Sequence, residues 1–247
     1  MRFRAILLFA VLACLAAVVR GQEPEPVQPR TVDPGNYSKA PSDAAVLLNG
    51  TDLQGWTTRD GEPTRCQAID GEMVCRSGDG DVMTSERFGD AQIHVEFKIP
   101  HMPNETGQAR GNSGVYVHGA WEVQILDSFE NPTYPDGMLG AIYGFAKPLV
   151  NAARPPEQWQ SYDITIRMPR CDTEGSLRKP GRMTVFLNGV LVQENVRLDR
   201  LGPGHIDKTI CSEGPLLFQD HSGFSGPMTE MRFRNVWVRR LRNEAGL

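Results

Sequence analysis

Positive charge is in short supply in this chain: 26 Lys and Arg face 30 Asp and Glu, a formal net charge of −4. An acidic surface repels DNA, RNA and anionic lipid, so none of these is an expected partner. Long apolar runs are equally scarce. Ala5–Val19 is the one extended stretch, and it falls short of the roughly 20 residues that a membrane-spanning helix needs. Closely spaced Cys or His pairs, the usual mark of a zinc site, are missing. The sequence also lacks an internal repeat and a convincing amphipathic helical period, which argues against solenoids and helical bundles.

What is present begins with an address. Met1-Arg2-Phe3-Arg4 supplies a basic end to the apolar run, and Val19-Arg20-Gly21 closes it with small or apolar residues at the positions a signal peptidase inspects. Residues 1–21 therefore read as a secretory signal cut before Gln22. The rival reading is a membrane anchor, for which the run is short, and Cys14 comes too early for a lipoprotein signal. The expected location is secreted or periplasmic, with no membrane attachment after cleavage. Removal takes away three arginines and no acid, moving the formal charge from −4 to about −7.

Residues 22–42 carry Pro24, Pro26, Pro29, Pro34 and Pro41 with little apolar content, as expected of an extended or disordered leader. Residues 43–247 suffice for one large all-β domain. Here apolar residues fall at every second position. Ile93, Val95, Phe97 and Ile99 alternate with His94, Glu96 and Lys98. Trp121, Val123 and Ile125 alternate with Glu122 and Gln124, and Tyr162, Ile164 and Ile166 with Asp163, Thr165 and Arg167. Met183, Val185 and Leu187 lead into Asn188-Gly189, a strong hairpin signal. Many short strands joined by Gly, Asn and Asp turns predict a sandwich or jelly roll. The loops 101–112 and 128–160 are long and rich in Gly, Pro and Asn, where ligand contacts are usually found.

Four cysteines remain after cleavage, and in an oxidising compartment they should pair. Cys66 to Cys75 reads as a hairpin about Asp70-Gly71. Counting outward from that turn makes 66 and 75 a non-hydrogen-bonded pair, close enough for a cross-strand disulfide. Cys171 and Cys211 are then left to each other.

Several segments in order resemble the 3-keto-disaccharide hydrolase family, a concanavalin A-like jelly roll. Leu47-Leu48-Asn49-Gly50-Thr51-Asp52-Leu53-Gln54-Gly55-Trp56 is similar to its opening signature. Phe88-Gly89-Asp90, Asn112-Ser113-Gly114-Val115-Tyr116, Trp121 to Asp127, Gly140 to Gly144 and Glu157-Gln158-Trp159 follow. Leu217 to His221 and Phe233 to Val236 close the series, so the resemblance spans about 46–241. Leu48 stands where the family usually has Phe, and His118 where Arg is common. Segments 169–181 and 200–214 look like insertions and hold the second cysteine pair.

The resemblance implies an all-β, concanavalin A-like β-sandwich that hydrolyses 3-keto sugars, with a carbohydrate as partner. It implies Glu122, His221 and Asp127 as catalytic residues. Gln124, Asn112, Ser113, His118, Tyr143, Trp159, Gln219 and Arg234 become candidate substrate contacts. Glu122 and Gln124 share a face by strand parity, whereas Asp127 has the wrong parity and reaches the site only by leaving the strand. A two-residue turn at Gly119-Ala120 sets Glu122 against Val117; a bulged three-residue turn changes that register. The resemblance fixes no cofactor, and a divalent metal bridging the C3 ketone and C2 hydroxyl, with Glu122 and His221 among its ligands, would polarise the ketone. Elimination across C1–C2 and the ordinary two-carboxylate route both remain open. The same face would also serve a carbohydrate-binding module without turnover, and a purely structural role is a third reading.

Overall fold

Successive side chains of an extended strand face opposite ways, so the alternating segments become strands with one face buried. The computed structural model describes residues 29–36, 39–222 and 230–241. The expected secretory signal, Cys14 and the expected leader up to residue 28 lie outside the described residues. Contacts divide the chain into Met1–Thr31 and Val32–Leu247, and the strands among the described residues lie in the second unit. Within it, the Ser42 amide donates to the Asp33 carbonyl at 3.0 Å.

The first strands are β1 (Ala45–Leu48), β2 (Trp56–Thr57), β3 (Gln67–Ile69), β4 (Glu72–Arg76), β5 (Val82–Thr84) and β6 (Ala91–Lys98). A central hairpin follows, β7 (Ser113–Val117) and β8 (Trp121–Ile125), and after a long loop comes β9 (Trp159–Arg167). The chain ends with β10 (Arg170–Cys171), β11 (Leu177–Lys179), β12 (Gly181–Leu187), β13 (Val190–Leu198), β14 (Leu216–Phe218) and β15 (Glu230–Arg240). The eight-stranded sheet runs β13-β12-β9-β6-β15-β4-β3, with β1 paired to β15, and the five-stranded sheet runs β2-β5-β14-β7-β8. A small β10–β11 hairpin stands apart. The architecture is the all-β, concanavalin A-like jelly-roll sandwich.

The core lies between the two sheets. Ile93, Val95, Phe97, Tyr162, Ile164, Met183 and Val185 face inward from the larger sheet, and Val115, Val117, Trp121, Val123, Ile125 and Leu216 from the smaller. Phe218 of β14 stacks on Phe233 of β15 with ring centroids 4.0 Å apart, joining the layers. The two predicted tight turns have positive φ at both positions, 52° and 84° at Asp70-Gly71 and 53° and 80° at Asn188-Gly189, as a type I′ hairpin requires. The counted register holds: Cys66 and Cys75 form a disulfide with Cα atoms 4.4 Å apart, the spacing of a non-hydrogen-bonded pair. Cys171 and Cys211 form the second bond, tying β10 to the segment before β14.

Candidate active site

The β7–β8 hairpin decides what Glu122 meets. Its turn is the three-residue one, His118-Gly119-Ala120, with φ of 57° at His118 and 62° at Gly119. Val117 pairs with Trp121, Tyr116 with Glu122 and Gly114 with Gln124. The Glu122–Val117 pairing that follows from a two-residue turn is therefore corrected. Gly119 suits this turn because a Cβ there would meet Ile206 Cγ1 at 2.6 Å. Paired residues share a face, so Tyr116, Glu122, Gly114 and Gln124 all lie on the outer face of the smaller sheet, away from the core.

Two rows of side chains cross this face. In the first, the Tyr116 hydroxyl donates to Glu122 Oε2 at 2.9 Å, and Leu217 pairs with Tyr116 on the far side. Chain segment 140–143 extends the row by bonding along the free edge of β8, with the Tyr143 amide donating to the Glu122 carbonyl at 3.0 Å. The Tyr143 hydroxyl meets that of Tyr134 at 3.1 Å. In the second row, the Gln219 amide donates to the Gly114 carbonyl at 3.0 Å, so Gly114 lies between Gln124 and Gln219. The β5–β14 register continues this row to Asp81, which accepts from the Asp220 amide and is ion-paired with Arg59.

Gly114 has a particular reason to be glycine. A Cβ there would meet Glu122 Oε1 at 2.2 Å, so the carboxylate of the first row leans over the second. Gly204 has a parallel role, since its Cβ would meet the Tyr116 hydroxyl at 2.4 Å. The segment carrying Gly204 lies against the hairpin, with the Gly202 amide donating to the Ala120 carbonyl and the Ile206 amide to the Gly119 carbonyl. These loops bury Glu122 to 4% exposure. Burial pushes its carboxyl up to about 7, an effect that the Tyr116 hydrogen bond opposes and the negative Asp81 reinforces. A carboxylate poised there can accept or return a proton at neutral pH.

His221 shares a recess with Gln219, Asn112 and Gln108, and burial lowers its imidazole pKa, keeping it neutral at pH 7. Glu122 does not line that recess; Gln219 is the residue connecting it to the Gly114 row. Other candidates lie elsewhere. Asp127 is paired with Arg110 at 2.8 Å and caps the Phe129 amide, at the end of β8 and off the Glu122 face. His118 faces the core between Phe88 and Trp121, bonded through Nε2 to the Gly89 carbonyl at 3.0 Å. Its burial pushes the ring pKa down to about 4. Ser113 is fully buried, and its hydroxyl donates to the Gln219 carbonyl at 2.8 Å. Arg234 stacks over Trp159 at 4.0 Å and binds Glu96, both on the outer face of the larger sheet. Asp127, His118, Ser113, Trp159 and Arg234 thus have their side chains off the Glu122 face.

Sequence reading missed Tyr116, Asp81 and Arg59. Tyr116 was recoverable from the three-residue turn, which makes it the cross-strand partner of Glu122. Asp81 and Arg59 carry no local pattern, because strand order across β2, β5 and β14 brings them in. Among the described residues, no group of three or more His, Cys, Asp or Glu is arranged to hold a metal ion.

A jelly-roll sandwich with a buried carboxylate set among side-chain amides defines a carbohydrate-active, glycoside hydrolase-like protein. The chain belongs to the 3-keto-alpha-glucoside-1,2-lyase-like domain family, whose model matches residues 43–239. It is similar to a candidate glycosyl hydrolase from Parabacteroides distasonis ATCC 8503, at 36% identity over 89% of this chain and 94% of that one, with a TM-score of 0.80. A second from the same organism shares the fold at 22% identity and a TM-score of 0.60, over 81% of this chain and 94% of that one. Among curated proteins none matches.

Proposed function

We propose that this protein cleaves the glycosidic bond of sugars already oxidised to a ketone at C3, by elimination across C1–C2 followed by hydration. The ketone makes the C2 proton acidic because the resulting carbanion is delocalised into the carbonyl. Glu122 takes that proton, electrons flow into a C1–C2 double bond, and the C1 oxygen departs. Water then adds across the double bond. Tyr116 holds Glu122 Oε2, leaving Oε1, the atom over Gly114, as the one that exchanges the proton. With its pKa near 7, Glu122 can also return the proton to the leaving oxygen. His221, in the recess that Gln219 connects to the Gly114 row, is our candidate to polarise the ketone.

The observation that carries this reading is a single buried carboxylate with a pKa near 7, whose acidic neighbours are committed elsewhere. Asp127 is bound to Arg110 and Asp81 to Arg59. The ordinary two-carboxylate route needs a second acid or base across the scissile bond, and elimination needs only one base. We further propose that the reaction takes place outside the cytoplasm, a reading that the disulfides Cys66–Cys75 and Cys171–Cys211 support.

The test is incubation of the protein with 3-keto-trehalose and a 3-keto-glucoside, following free sugar. Release by wild type and a loss of about a hundredfold or more in Glu122→Gln are expected. Binding without release across such substrates would instead indicate a carbohydrate-binding module.

A further inference from the structure

We infer that the amide oxygens around Gly114 form an acceptor subsite, which takes hydroxyl donors of a neutral sugar ring and rejects a ring bearing a carboxylate. The inference rests on the reading of this face as the sugar site and adds the substrate's charge class. Gln124 Oε1, Gln219 Oε1 and Asn112 Oδ1 are all buried without a hydrogen-bond partner, and Gln124 is only 3% exposed. Buried acceptors are almost always satisfied in folded proteins, so three bare ones in one neighbourhood require a reason. Gln124 and Gln219 flank Gly114 in one row, and Asn112 and Gln219 line the same recess.

A chain of donors sets which way Asn112 points. Gln108 Nε2 donates to Thr133 Oγ1 at 2.9 Å and to the Gly137 carbonyl at 3.0 Å, so Gln108 turns its oxygen toward Asn112. Asn112 Nδ2 donates to that oxygen and to the Gln108 carbonyl. Its own Oδ1 is left as an acceptor with nothing to accept. A sugar hydroxyl fits such an oxygen, and a carboxylate, which has no proton to give, does not. Nearby charge reinforces the choice. Arg59 is neutralised by Asp81 and Arg76 by Glu230, whereas an ionised Glu122 repels a second anion.

The test is calorimetric binding of methyl α-glucoside, its monodeoxy analogues and methyl α-glucuronide, none of which carries the ketone needed for turnover. Wild type is expected to bind the glucoside at least about tenfold more tightly than the glucuronide. Gln124→Met and Gln219→Met should each weaken glucoside binding about tenfold, with a smaller loss for the analogue that lacks the contacted hydroxyl. Gln219, at the rim, gives a second variant should Gln124→Met fail to fold. Equal binding of the glucuronide, variants without effect, or no binding of the glucoside would each overturn the inference. If this pattern appears while 3-keto-glucosides stay intact, the proposed chemistry fails and the subsite stands. Cleavage of 3-keto-glucosides with both probes bound alike is the reverse.

Discussion

The charge state of Glu122 links the chemistry of this protein to its stability. An ordinary glutamate titrates near 4.5, and burial moves this one to about 7. Between those values the folded protein holds a proton that the unfolded chain has released, so stability falls as pH rises and is lowest above 7. The cost of the charge at pH 8 is on the order of 3 kcal/mol. Glu122→Gln removes it, and urea unfolding is expected to show the variant more stable than wild type at pH 8, with the gap closing toward pH 4. Tyr116→Phe acts the other way on the same group. Its hydrogen bond lowers the Glu122 pKa, so its loss should move the acid limb of the pH–rate profile to higher pH. Gly114→Ala puts a methyl 2.2 Å from the present position of Glu122 Oε1. It is expected to displace the carboxylate, cost about 1–3 kcal/mol of stability and reduce kcat more than it raises KM. Glu122 and Gln124 were legible as a pair in the sequence because parity alone puts them on one face. Tyr116 was not, because its place depends on whether His118 belongs to the strand or to the turn.

At the scale of elements, one turn and one strap make the site. Having three residues in the β7–β8 turn, rather than two, shifts every cross-strand partner of Glu122 and takes His118 out of the strand. Local sequence did not decide this, since Gly119 serves either turn; packing of Ile206 against Gly119 belongs to a segment far away in the chain. That segment, 200–214, covers the hairpin and is anchored by Cys171–Cys211, cysteines 40 residues apart. Closing a loop of that length stabilises by roughly 4 kcal/mol in the chain-entropy picture. Cys171→Ser with Cys211→Ser is expected to lower Tm and, by loosening the cover on Tyr116 and Glu122, to bring the Glu122 pKa down toward 4.5. A pH–rate profile of the double variant reads this directly. The Cys66–Cys75 bond needed no such distant information: its hairpin register follows from Asp70-Gly71.

For the whole molecule, alternation identified the long strands β6, β8, β9 and β12 and the two-layer architecture, because burial on one face imposes a period of two wherever a sheet covers a core; short strands such as β2, β5, β10 and β14 are too brief to show a period. The same rule shows which residues point outward, but not from which sheet. Trp159 and Arg234, candidate contacts by resemblance, point outward from the larger sheet, on the other side of the sandwich from Glu122. Asp81 and Arg59 reach the site row through strand order, which no local period encodes. The central claim concerns one proton, the hydrogen on C2 of a 3-keto-glycoside. Comparing kcat/KM for a substrate deuterated at C2 with its protiated form tests that claim most directly. The account predicts a several-fold slower reaction with deuterium, in an enzyme whose activity is lost in Glu122→Gln. Equal rates for the two substrates, with the C2 label retained in the product and Glu122→Gln still active, would contradict it.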